Sequence, residues 1–173
     1  SGLPGARGVV LDLRDNGGGF VSAATAVISR FVASGEAFEE RGRDGGASKT
    51  AVSGNHPAAS VPLAVLVNGN SASASEIVAG SLQAHHRAQL VGTKTFGKGS
   101  VQVDYHLSDG GDLHLTVEHW FLPNGHSVDG VGLTPDVPVD LTDKPAMFDV
   151  VQPARGHAGD TQLNRGLQAI ATP

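Results

Sequence analysis

Cysteine is absent from this chain, which excludes disulfide frameworks, thiol catalysis and zinc–thiolate sites together. An oxidising compartment is compatible with that composition without being required by it. No apolar run approaches the roughly 18 residues of a membrane-spanning helix, and no secretory leader pattern opens the sequence. Clustered cations are missing too. Twelve Lys and Arg stand against seventeen Asp and Glu, a net charge of −5. A nucleic-acid groove needs basic side chains gathered against phosphate, so none is expected. Internal repeats and coiled-coil heptads are likewise absent. The chain opens SGLPGARGVVLDL, almost directly on a strand. That predicts a fragment of a longer protein, with any targeting segment upstream.

What is present suits one buried core. The 173 residues are 39% hydrophobic, and 24 are glycine, which predicts many turns and close backbone approaches. Gly8–Leu13 is short, apolar and β-branched, and reads as a buried strand. It stops at Asp15-Asn16-Gly17-Gly18-Gly19. Phe20, Ala23, Ala24, Val27, Ile28 and Phe31 then fall at helical spacing. Residues 34–60 are polar and glycine-rich, predicting a long surface loop with room for a short hairpin. Val61–Val67 reads as a second buried strand. Ala74, Ile77, Val78, Ser81 and Leu82 form a second helical stripe, and Ala88–Val91 a third strand. Beyond it the pattern turns to β. Ser100–Leu107 and Leu113–Leu122 flank a hairpin turn at Ser108-Asp109-Gly110-Gly111. Thr134–Val139 reads as an extended strand whose prolines suit an edge. Residues 141–159 read as surface coil, and Asp160 is placed to cap a last helix carrying Leu163, Leu167 and Ile170. The class is mixed α/β.

The chemistry concentrates in Asn68–Gln83, NGNSASASEIVAGSLQ, where Ser71, Ser73 and Ser75 alternate with alanine. The simplest reading is a capping box, with Ser73 at the helix start and Glu76 reaching back. A serine at a strand-to-helix turn also stands where α/β sheets place their sites, beside free amides and a helix dipole that favour an oxyanion. A nucleophile there requires a base. None of the eight histidines lies in a diagnostic setting; His85 and His86 end a helix, and His114, Glu118 and His119 lack metal-ligand spacing. Lys98, between Gly97 and Gly99, is either a solvated charge or, if the glycines press it into an apolar site, a general base with a lowered pKa.

Four stretches resemble the C-terminal processing peptidases, also called tail-specific proteases: GVVLDLRDNGGG at 8–19, PLAVLVNGNSASASEIVAG at 62–80, RAQLVGTKTFGKGSVQ at 87–102 and LPNGHSVDGVGLTPDV at 122–137. They occur in the family's order. The 25 residues from Ser73 to Lys98 match the family's nucleophile–base separation, which neither Ser71 nor Ser75 does. The resemblance implies a crotonase/Clp-protease-like ββα core with a β-rich C-terminal segment. Residues 1–140 would form the serine peptidase core and 141–173 a tail with a short helix. It further implies Ser73 as nucleophile, Lys98 as general base and Gln102 as the residue orienting that lysine. The oxyanion hole would come from the Ala74 amide and the glycine loop, with Gly19 the best match. Ser71, Ser75 and Glu76 would be structural. No cofactor or metal is implied. The substrates would be protein or peptide C-termini, with a PDZ domain upstream in the full-length chain, an extracytoplasmic location, and homo-oligomer assembly left open. The alternative is a non-catalytic ligand-binding or scaffold module of the same fold, like the retinoid-binding repeats.

The lysine assignment makes a direct prediction. Lys98→Arg in the full-length protein should abolish peptide hydrolysis, because a guanidinium stays protonated. His85→Ala and His86→Ala should retain it. Initial rates on a peptide substrate check this, and the reverse pattern would rule the lysine out.

Overall fold

The computed structural model describes residues 7–141, 147–148 and 157–171. In chain order the elements are β1 (Val9–Asp12), α1 (Val21–Phe31), β2 (Glu36–Gly42), β3 (Ala47–Ala51), β4 (Leu63–Val67), α2 (Ala74–Ala84), β5 (Gln89–Gly92), β6 (Ser100–His106), β7 (Asp112–Phe121), β8 (Val137–Pro138) and α3 (Thr161–Ala171). They form two sheets. One is parallel, in the order β1-β4-β5-β8, and the other antiparallel, in the order β3-β2-β7-β6. The expected α/β class with a β-rich second half is what the chain adopts.

Strand β4 shows why. All five residues are buried, because side chains of a central strand alternate between two covered faces. Leu63, Val65 and Val67 join the main core with α1, α2, Phe38 and Trp120. Ala64 and Leu66 face the other way, into a second cluster with Val91, Leu163, Ala169 and Ile170. The C-terminal segment therefore supplies α3 as the cover for the parallel sheet's second face. Strand β1 lies at that sheet's edge and is only half-buried, so its apolar composition overstates its burial.

The segment 34–60 departs furthest from expectation. It carries the β2–β3 hairpin, and β2 is an interior strand paired with β7 as well. Ala37 and Phe38 are almost fully buried, but two consecutive apolar residues give no alternation to read. A register shift between Glu36 and Phe38 lets both face inward. Charged neighbours hold the pairing: Lys49 Nζ lies 2.9 Å from Glu36, and the Arg41 guanidinium stacks 3.9 Å from the Phe121 ring centroid. Phe20, assigned to the α1 stripe, is instead the residue before the helix and 83% exposed. Thr134–Val139 contributes only the two-residue β8, at the edge its prolines suit. The coil expected over 141–159 falls largely outside the described residues.

Helix α3 starts as the sequence anticipates. Asp160 Oδ1 accepts the Leu163 amide at 2.9 Å, the usual cap geometry. Both its oxygens also meet Arg14, at 2.9 and 2.8 Å, in a pair with no side-chain exposure on either partner. Burial by itself would raise the Asp160 pKa; the hydrogen bonds from Arg14 and from the Leu163 and Phe148 amides outweigh it and hold the carboxyl below its ordinary value.

A carboxyl depressed in the folded state contributes its full stability above the unfolded value and loses it as pH falls through the folded one. Unfolding free energy from denaturant titration should therefore decline in acid, from about pH 3.8 downward. Asp160→Ala should cost about 3–5 kcal/mol at neutral pH, since Arg14 loses its buried partner and keeps only the partly exposed Asp12. A neutral-pH loss under 1 kcal/mol would contradict the pairing.

Candidate active site

Three loops leave the carboxyl ends of three adjacent parallel strands. Residues 13–20 follow β1, residues 68–73 follow β4, and residues 93–99 follow β5. Such ends gather sites in α/β sheets because successive loops converge there. Here they carry the glycine loop, the serines and the lysine respectively.

Ser71 has no exposure. Its hydroxyl donates to the Leu13 carbonyl at 2.7 Å and accepts the Asn68 amide at 3.0 Å, tying the second loop to the first. Asn68 and Asn70 reinforce the tie by donating to Asp15 Oδ1. Ser71 is thus structural, as expected. Ser75 is buried one residue inside α2.

Ser73 differs from both. It is half-buried and sits at φ 56°, ψ −123°, a backbone region that non-glycine residues seldom occupy and that costs about 1–3 kcal/mol. Sharp strand-to-helix turns of this kind present nucleophilic serines. The capping box forms. Ser73 N donates to Glu76 Oε2 at 3.0 Å, as the motif requires. The other half is present as well, the Ser73 side chain facing the Glu76 amide, whose backbone bond runs to the Ser73 carbonyl at 2.8 Å. As the acceptor in that box the hydroxyl keeps its own proton, and among the described residues it donates to nothing.

Glu76 does more than close a helix. Fully buried, it accepts four hydrogen bonds. Oε1 takes the Thr95 hydroxyl at 2.5 Å and the Gly97 amide at 2.8 Å, while Oε2 takes the Ser73 and Lys98 amides at 3.0 and 2.8 Å. One carboxylate oxygen therefore bridges the backbones of Ser73 and Lys98. The sequence signals Glu76 only as a helix-start residue, because no local pattern links it to partners 19 to 22 positions away.

The lysine loop is held from its other side by residues 128–132. A Cβ on Gly97, at φ +94°, would lie 2.9 Å from the Gly132 nitrogen, and one on Gly99 would lie 2.8 Å from the Asp129 nitrogen. Only glycine permits both approaches. Gly99 N also donates to Asp129 Oδ1 at 2.9 Å. Lys98 between them is half-buried. Among the described residues no hydrogen bond joins Ser73 Oγ, Lys98 Nζ and the Gln102 side chain. Gln102 is exposed on β6, opposite Thr116 and next to a register shift at Val101.

The glycine loop packs directly on the serine turn. A Cβ on Gly18, at φ +106°, would fall 2.9 Å from both the Ser73 Cβ and the Ala74 nitrogen. Gly18 therefore makes the close approach, while Gly19, next in line, faces open space. Carbonyls of Ala72 and Ser73 take the Ser75 and Glu76 amides. The Ala74 amide forms no hydrogen bond among the described residues, as suits the first turn of a helix. A cavity of about 150 Å³ opens here, lined by Leu11, Leu13, Gly18, Ala24, Val27 and Val78 among others. A larger recess of about 620 Å³, lined by Pro62, Arg87 and Ile170, holds none of the residues above. Of the histidines, His85 Nε2 bonds the Glu36 carbonyl and His56 Nδ1 the Ser29 carbonyl; both serve packing.

The four-bond arrangement predicts that Glu76→Gln is severe. An amide nitrogen would face amide donors in place of one acceptor oxygen, at about 1–3 kcal/mol for each donor left unpaired. Thermal or denaturant unfolding checks this, with a neutral substitution as the contrary outcome.

The comparisons with known proteins bear on the family and the fold. A carboxy-terminal-processing protease of Bartonella bacilliformis is 43% identical over 172 residues, which cover 95% of this chain and 40% of that protein. The solved structure of a photosystem II D1 C-terminal processing protease is 38% identical, covers 79% of this chain and 35% of that one, and superposes with a TM-score of 0.75. Mature CPAF, 16% identical, shares the fold over 96% of this chain and 44% of its own, with a TM-score of 0.70. This chain thus spans less than half the length of these relatives. Residues 2–139 match the profile of Peptidase family S41, and the chain belongs to that family.

Proposed function

We propose that this domain is the catalytic core of a serine endopeptidase that cuts protein substrates near their C-termini. Ser73 is its nucleophile and Lys98 its general base. The observation that carries this reading is the strained turn at Ser73, whose hydroxyl proton goes to no acceptor among the described residues and whose backbone shares a Glu76 oxygen with that of Lys98.

In the mechanism, neutral Lys98 accepts the Ser73 hydroxyl proton as Oγ attacks the substrate carbonyl. The reacting pair closes to hydrogen-bond range, about 2.6–3.2 Å, on substrate binding, which often tightens contacts that are long in the free enzyme. Gln102 rotates from its exposed position to share the lysine's hydrogen bonds; a side-chain amide keeps its charge state, so its part is orientation. The tetrahedral oxyanion lies between the Ala74 amide and the Gly18–Gly19 loop, each donor worth on the order of 10²–10³ in rate. Protonated Lys98 gives its proton to the departing amine, leaving an ester on Ser73. Water, deprotonated by Lys98, then hydrolyses that ester and restores the free serine. Substrate tails reach the site from an upstream PDZ domain in the full-length protein, outside the cytoplasm.

Ser73→Ala should abolish both hydrolysis and labelling by a fluorophosphonate probe in the full-length chain. Because the side chain stands in the capping box, stability should fall by about 0.5–2 kcal/mol, the range for a lost cap. Hydrolysis surviving in that variant would defeat the assignment.

A further inference from the structure

Arg14 is a buried cation that the proposed chemistry does not touch. All five of its N–H donors are used. Nε bonds Asp12; Nη1 reaches Asp160 Oδ1 at 2.9 Å and Gln162 Oε1 at 3.2 Å; Nη2 reaches Asp12 Oδ2 at 2.6 Å and Asp160 Oδ2 at 2.8 Å. Asp160 and Gln162 belong to the start of α3, some 146 residues along the chain. Gln162 Nε2 in turn donates to the Val139 carbonyl at 2.8 Å, so the network joins three parts of the parallel-sheet layer. Such a planar fork fixes orientation as well as position.

Immediately after Arg14 the chain makes the glycine loop. Asp15 adopts φ 55°. The Asn16 carbonyl accepts the Ala72 amide at 3.1 Å, and the Asn16 side chain accepts the Gly18 amide at 3.0 Å. Gly18 then lies against Ser73 and Ala74. Residues 13–16 and Gly18 are tied down in turn, and Arg14 is the tie to the far side of the sheet.

We infer that Asp160 and Gln162 are positioning residues, acting through Arg14 to set the glycine loop that faces the Ser73 oxyanion site. The inference rests on the peptidase reading above. A loop displaced by even part of an ångström loses aim at the developing oxyanion while leaving ground-state binding largely intact, so the loss falls on kcat.

Asp160→Asn keeps an oxygen for the Leu163 amide, and so the helix cap, while removing the charge that meets Arg14. Gln162→Met keeps both carboxylates on Arg14 and removes one acceptor from it, together with the donor to the Val139 carbonyl. Leu163→Ala loosens α3 against the sheet without touching Arg14, and serves as the control. With all three in the full-length protein, kcat and KM on a peptide substrate are measured beside melting temperature and the fluorophosphonate labelling rate. Asp160→Asn should lower kcat by at least about tenfold, a fraction of one oxyanion donor's worth, with KM within about twofold. Gln162→Met should move the same way by less. Leu163→Ala should lower the melting temperature and leave kcat alone. If Asp160→Asn does not fold, Gln162→Met decides. A folded variant with wild-type kcat, or an equal kcat loss in Leu163→Ala, overturns the positioning role while wild-type turnover and Ser73 labelling leave the peptidase reading standing. Absence of both in the wild type overturns the two together.

Discussion

The arrangement depends on one buried carboxylate. Glu76 receives four donors, and two of them are the backbone amides of Ser73 and Lys98 on a single oxygen. Two residues proposed to react must be held near each other without having their reactive atoms consumed. Anchoring the main chains and leaving the side chains free meets that need. The carboxylate's desolvation is offset because each oxygen is doubly bonded, and its position in the first turn of α2 adds the favourable end of the helix dipole.

Strain and rigidity complement each other around this anchor. Ser73 holds an unfavourable backbone conformation, which persists only where the surroundings over-determine it. They do so here. Ser71 pins the preceding residues to Leu13, Glu76 fixes the Ser73 amide, and Gly18 fills the space beside its Cβ. The parallel sheet supplies the frame, since neighbouring strands β1, β4 and β5 end together and deliver all three loops to one side.

The second face of that sheet is closed by α3, and the closure is both apolar and ionic. Leu163, Ala169 and Ile170 cover Ala64, Leu66 and Val91, while Asp160 meets Arg14 where β1 gives way to the glycine loop. In Arg14, burial lowers the pKa and the two carboxylates outweigh that effect, leaving it above its ordinary value. The cation is therefore permanent, and the helix that neutralises it is part of the same unit as the proposed site.

Much of this was legible from the chain. A continuous apolar run marks β4, and period-2 and period-3.6 patterns mark the β6–β7 hairpin, α2 and α3, because strong local preferences and burial agree there. The SASASE and FGKGSVQ stretches, with their spacing, point to Ser73 and Lys98 before any coordinates. Strand β2 was hidden because it is held by cross-strand charges and a register shift, neither of which alters local hydropathy. Glu76 was visible as a helix start but not as the bridge to Lys98, and Arg14 as a residue of a motif but not as the partner of Asp160. By itself, then, the sequence determined most of the element types, the family resemblance and the side chains proposed to react, all of which are encoded in short windows. Only the tertiary structure decided that Gly18 makes the close approach, that Glu76 ties the Ser73 and Lys98 amides together, and that α3 reaches the glycine loop. Those depend on distances between residues remote in the chain, which no local pattern records.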